Sequence, residues 1–333
     1  MKTEPTLTVS DKARELLNNT LVWDMTLPWE PNAMDRTTLP RFKAAGFDVV
    51  SLTMDMETLG ATVRHIAMVL ADIRVHSDTM TLVGNHDEVL EARKAGKLAL
   101  VLHLQETNPL DGEIDMIEVF YELGVRHMLL AYNQKNRVGD GCAERTDGGL
   151  SRFGVRVVQE MNRVGMLVDG SHSGYQTTME AMEISSAPFI FSHCNAWHVF
   201  PHYRNIKDDQ IKACAATGGV IGVNGLGEFL DDPHAKSETI FRHIEHMVNL
   251  VGPRHVGVGL DYVKDTDGFW DWVRSRPDQW PLVDGKTHEN TGFGQPEQIV
   301  ELCELMLSHQ YAEEDVCGIL GGNFARVARE VWK

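Results

Sequence analysis

The feature that most constrains this chain is an eightfold alternation of short, apolar, β-rich runs with longer amphipathic stretches. The runs are Thr20–Asp24, Phe47–Met54, Leu98–Leu104, His127–Tyr132, Met166–Asp169, Phe189–His193, Gly219–Asn224 and Val256–Asp261. Most are continuous Val, Ile, Leu or Met, the pattern of strands buried on both faces. Between them, 56–75, 154–164, 175–185, 208–217 and 236–251 read as helices. Ser151 and Ser237 read as N-caps, and Gly165, Gly218 and Gly252 as the glycines that follow helices. Repeated strand–helix units of this kind build a parallel sheet, and eight of them point to a (β/α)8 TIM barrel. No linker, low-complexity run or internal repeat divides the chain, so residues 1–333 read as one barrel domain. The longest stretch without an assigned element, from Tyr262 to about Gly294, is rich in Trp, Asp and Pro. A loop of that length is expected to be a lid or an interface.

Charge narrows the partners. The 333 residues carry a formal net charge of -17. A nucleic-acid binder needs a basic footprint, and an anionic membrane surface repels such a chain, so neither is expected as a partner. The segment Met1–Asn19 is polar and charged, without the apolar stretch of a secretory signal, and no run of about 18 apolar residues is present to span a bilayer. Five scattered cysteines, Cys142, Cys194, Cys214, Cys303 and Cys317, form no CxxC pair. A reducing cytoplasm is the expectation, with no disulfide framework.

In a barrel of this kind, chemistry sits where the strands end. The first strand ends at Asp24 and the third leads to Glu106. The fourth ends at Tyr132-Asn133. The fifth leads to His172, the sixth ends at His193, and the eighth ends at Asp261. Glu106, His172, His193, Asp24 and Asp261 thus form a candidate metal-ligand set, since imidazole and carboxylate suit Zn²⁺ and related divalent ions. Strand two yields Asp55 and strand seven Asn224, neither with an assigned role. His127 and the remaining histidines read as surface or core. His243 and His246 read as one solvated helix face, and His198 and His202 as auxiliary ligands at most.

Several motifs occur in family order on the expected elements: Gly149-Leu150-Ser151, Met161-Asn162-Arg163, LVDGSH ending at His172, Ala187-Pro188, Phe191-Ser192-His193, Arg204-Asn205, GGVIGVN ending at Asn224, and HVGVGLD ending at Asp261. On these the chain, from Leu21 onward, resembles the renal (membrane) dipeptidases, the M19 peptidases of the amidohydrolase superfamily. The resemblance implies that His172 and His193 bind one zinc, with Glu106 shared between two. It implies that Asp261 is a ligand and the acid/base, and that Arg204 holds a substrate carboxylate or the oxyanion. It also implies a homodimer, for which the Trp270-Trp272-Trp280 loop is a candidate interface. Two departures stand out. The family's His-x-Asp before Leu-Pro is Asp24-Met25-Thr26 here, and Tyr132 stands where the family has a substrate-contacting His. One zinc site is therefore expected intact and the second weakened. Tyr132, Asn133 and Arg204 are the expected substrate contacts. The activity expected is zinc-dependent cleavage of a small amide or dipeptide. The alternatives are a mononuclear amidohydrolase acting on a non-peptide amide or lactone, or a non-catalytic small-molecule binder.

Overall fold

The structure, a computed structural model, describes residues 7–28, 37–54, 57–282 and 287–333. Asp55 lies outside the described residues. Among the described residues, nine strands form one sheet: β1 (Trp23–Pro28), β2 (Val49–Thr53), β3 (Met80–Leu82), β4 (Leu98–Leu104), β5 (Val125–Leu129), β6 (Leu167–Asp169), β7 (Ile190–Phe191), β8 (Val220–Val223) and β9 (Val256–Val258). Eight of them follow one another in the order β1-β2-β4-β5-β6-β7-β8-β9, each pair parallel. At the remaining seam, Asp261 N–H donates to Thr26 O (3.2 Å) and Leu260 N–H to Asp24 Oδ1 (3.1 Å). The result is a nearly closed (β/α)8 barrel.

Two strands depart most from the sequence reading, and β5, read as His127–Tyr132, lies earlier, at Val125–Leu129. The first begins at Trp23 and runs on to Pro28, so Asp24 lies within it rather than at its end. An irregularity between Asp24 and Leu27 breaks the register with β2 and hides the strand's period. The short β3 was not anticipated. It pairs with Leu98–Leu100 of β4, below the point where β5 joins at Leu102.

Ser151 caps its helix, accepting from Gly154 N–H at 2.9 Å. Ser237 does not cap. It is the first helical residue after Lys236, and its hydroxyl instead donates to Glu301 and accepts from Gln298 Nε2 (2.8 Å). The stretch after β9 is not all loop, because Thr266–Arg274 is helical. Its aromatics are not exposed either, since Trp270 and Trp280 are buried and packed on Phe269.

Two apolar layers position the site. The larger lies between the strands and the surrounding helices. The smaller joins strand residues Trp23, Met25, Val49, Ala99, Val101, Leu167, Ile190 and Val220 to Phe324, Val327 and Val331 of the C-terminal helix. Gly257 of β9 has to be glycine for this packing, because a Cβ there would come within 2.3 Å of the Phe324 ring. No helix among the described residues is long and apolar enough to cross a membrane, and all five cysteines are free.

Candidate active site

Three of the residues singled out from the sequence share an unusual backbone. Asn133 (φ 60°), His172 (φ 63°) and Asp261 (φ 58°) lie in the left-handed region, which only seven described non-glycine residues enter. Such conformations persist where the surroundings over-determine them, and they gather at functional sites.

The two imidazoles are held in a defined protonation state. His172 Nδ1 lies 2.7 Å from Asn133 Oδ1, a carbonyl that can only accept, so the ring proton sits on Nδ1. His193 Nδ1 lies 3.0 Å from Thr26 Oγ1, whose single proton goes to Met25 O at 2.7 Å. Thr26 therefore accepts from His193, and Ser192 Oγ stands 2.7 Å from the same nitrogen. Both rings thus keep a bare Nε2, and each Nε2 is buried without a hydrogen-bond partner. Burial, then the Arg204 guanidinium, pushes both imidazoles down, His193 to about 3 and His172 well below the ordinary value. The ring centroids are 5.0 Å apart.

The carboxylates differ in readiness. Asp24 Oδ1 takes the N–H groups of Thr26 (3.0 Å) and Leu260 (3.1 Å), while Oδ2 is buried and unpartnered. Burial, helped by the neighbouring Asp261, raises its pKa to about 7 against the pull of those two bonds. Asp261 accepts from Asn224 Nδ2 at 3.0 Å, and burial lifts it to about 6 while Arg204 opposes the rise. Glu106 is turned into its own loop. Oε1 takes Thr107 N–H (2.8 Å) and the Asn136 amide, and Oε2 takes Tyr132 N–H (3.1 Å).

Arg204 is buried, its Nη1 donating to Cys194 Sγ (3.8 Å), its Nη2 to His193 O (3.4 Å), and its guanidinium 5.1 Å from the Phe229 ring. The Tyr132 ring stacks on His172 at 4.0 Å. Trp280 meets both rings edge-on, at 6.1 Å from Tyr132 and 6.2 Å from His172. Beside His172 and Arg204 opens a cavity of about 220 Å³, also lined by Cys142, Cys194, His202 and Tyr203. That is room for a small ligand only.

The structure therefore groups His172, His193, Asp24, Asp261, Arg204 and Tyr132, with Glu106 joined to them through the Tyr132 backbone. Asn133 belongs to the group as the anchor of His172, its side chain being wholly buried. Asn224, left without a role by sequence, is the hydrogen-bond donor to Asp261. His202 lines the cavity with Nδ1 accepting from Arg204 N–H, whereas His198 is exposed and stacks on His246. His243 is not on a solvated face: it is buried, and its Nδ1 accepts from Ala196 N–H at 3.1 Å.

Residues 13–274 match the membrane dipeptidase family, peptidase family M19. The chain belongs to this family. Among curated relatives, an uncharacterized dipeptidase of Schizosaccharomyces pombe is 34% identical over 183 residues, 53% of this chain and 44% of that protein. Dipeptidase tcpJ of Claviceps purpurea is 30% identical over 274 residues, 81% of this chain and 60% of that protein. The chain thus spans about half the length of the curated relatives it matches. Among solved structures, an amidohydrolase from Pseudomonas aeruginosa superposes with a TM-score of 0.88 at 30% identity, covering 96% of this chain and 99% of that one.

M19 membership raises the question of a metal. Two bare, buried, neutral Nε2 atoms and the unpartnered Asp24 Oδ2 are the donors a divalent ion of the zinc type takes. Among the described residues, however, no three His, Cys, Asp or Glu side chains converge closely enough to hold an ion. The imidazole pair fits such an ion in kind.

Proposed function

We propose that this M19 chain is a metal-dependent hydrolase that cleaves a small amide or dipeptide, with His172 and His193 as the imidazole ligands and Asp24, Asp261 or Glu106 completing the set. The observation that carries the reading is the pair of tautomer-fixed imidazoles with unpartnered Nε2 atoms. A divalent ion, when bound, supplies Lewis acidity and lowers the pKa of its water towards about 7.

The chain's own groups do the rest. Asp261, held near 6 and steadied by Asn224, is poised to take a proton near neutral pH and return it to a leaving amine. Arg204 is permanently charged and buried beside the cavity, which suits it to a substrate carboxylate. Tyr132, whose phenol is pushed up by burial, stays protonated and donates one hydrogen bond to a carbonyl. Five free thiols support a reducing, cytoplasmic setting.

A second reading, a mononuclear amidohydrolase acting on a non-peptide amide or lactone, is favoured by Thr26. Its hydroxyl is committed to Met25 O and His193, so it serves as a prop and not as a ligand. Elemental analysis of protein purified without chelator tests both readings. About one ion per chain, lost in His193→Ala, supports the mononuclear form, and about two support the dipeptidase form. An absence of metal after reconstitution with zinc rejects both. Asp261→Asn should keep its metal and lose at least about 100-fold in turnover on a panel of dipeptides, N-acyl amino acids and lactones. Unchanged turnover removes Asp261 from the mechanism.

A further inference from the structure

We infer that Asp169, gripped by His127, is a positioning carboxylate that sets the two histidine-bearing turns in register with each other. Asp169 ends β6 and is fully buried. Its Oδ1 accepts from Ser171 N–H (3.0 Å) and from Ser192 N–H (3.1 Å), the residues immediately before His172 and His193. Its Oδ2 lies 3.1 Å from His127 Nδ1 on β5. The link is reinforced by Ser171 Oγ, which accepts His193 N–H at 3.1 Å and lies 3.3 Å from Ser192 Oγ. One carboxylate thus ties the turn after β6 to the turn after β7. Those turns carry the two imidazoles that the metal reading uses as ligands.

His127 is fixed in its turn. It stacks on His103 of β4 with centroids 4.2 Å apart and planes 7° from parallel, and His103 Nε2 lies 2.9 Å from Thr53 Oγ1 of β2. A polar chain therefore crosses β2, β4, β5, β6 and β7. As a device for stability alone this is a poor choice, since a buried pair of this kind seldom outperforms apolar packing. Its bonds end on the residues next to the two imidazoles, which is where a positioning role would put them.

The inference rests on the metal reading of His172 and His193, and it is tested by zinc affinity, measured by competition with a chromophoric chelator, alongside urea melts. The control is Asp48→Ala. It removes bonds to Val22 N–H, Arg93 and Lys43 ahead of β2, away from the strand ends that carry the site. Asp169→Ala should weaken zinc binding about 10- to 100-fold, the range for loss of a group that orients a ligand. Asp169→Asn, whose Oδ1 still accepts from Ser171 and Ser192 and whose Nδ2 can donate to His127 Nδ1 once the ring proton moves to the unpartnered Nε2, should stay within about threefold of the parent. Asp48→Ala should lose stability and keep its zinc affinity. Parent-like binding by Asp169→Ala, or an equal loss in Asp48→Ala, overturns the inference. If Asp169→Ala does not fold, His127→Phe decides, because it keeps a ring against His103 and removes the donor to Asp169. A loss of affinity there upholds the inference and unchanged affinity overturns it. A parent that binds no zinc at all rejects the metal reading itself, and this inference with it.

Discussion

Asn133 and His172 both sit in left-handed backbone, a cost of about 1–3 kcal/mol for each residue. The strain is offset locally, because His172 O accepts from Asn133 N–H (3.2 Å) and Cys142 N–H (2.8 Å) while the two side chains bond through Nδ1 and Oδ1. The two residues lock each other. Asn133→Gly separates backbone from side chain: glycine keeps the positive φ at no steric cost and removes the Nδ1 acceptor. Zinc affinity by calorimetry should fall about 10- to 100-fold while the fold persists. Thr26→Val, close in shape and lacking the hydroxyl, removes one of the two oxygens at His193 Nδ1 and leaves Ser192 Oγ, so its loss should be smaller. If both variants bind zinc like the parent, the tautomers are not what prepares the imidazoles.

At the scale of elements, the segment after β9 folds back over these rings. Its anchor is His288, with Nδ1 2.6 Å from Glu228 Oε1 and Nε2 3.1 Å from Trp280 O. Both partners accept, so the protonated ring satisfies both contacts and the neutral ring only one. The hydrogen bond to Glu228 accordingly raises its pKa above the ordinary value. A raised histidine contributes stability that is fully present below its unfolded pKa and is lost as pH rises through the folded one. The difference in unfolding free energy between the parent and His288→Gln should therefore be largest below the ordinary histidine value of about 6.5 and shrink as pH rises above it. A difference independent of pH would mean that the ring is held neutral. None of this anchoring was legible in the sequence, where Trp280 among Asp, Gln and Pro reads as exposed loop. Its burial comes from Phe229, Phe269 and Trp272, which only the tertiary fold assembles. The barrel strands were legible because both of their faces are apolar, and the ends of strands then pointed to His172, His193 and Asp261. The misreading of β1 came from its broken register, and β3 is too short to carry a period. The roles of His103 and His127 stayed hidden because a histidine within a buried strand looks like any other core residue until its partner on the next strand is known.

Across the whole molecule, the C-terminal plug and the candidate site occupy opposite ends of one barrel, as the fold predisposes. The ring of Phe324 enters the interior layer against Gly257, and Trp332 meets Trp23 edge-on at 5.7 Å. The C-terminal helix thus plugs the barrel from the end where the strands begin, while the histidine turns stand at the other. Phe324→Ala removes a fully buried ring from that plug and should cost about 3–5 kcal/mol in urea unfolding. If the two ends are energetically separate, zinc affinity should stay within about threefold of the parent. Zinc at a hundredfold excess over its Kd should then stabilise both proteins by about 2.7 kcal/mol, because linkage depends only on the affinity of the folded state. A tenfold or greater loss of affinity in Phe324→Ala would show instead that packing at the plug reaches the imidazoles through the strands. Asp169 would then be the first connection to examine, since it ends the strand that begins at Leu167, a member of the same interior layer.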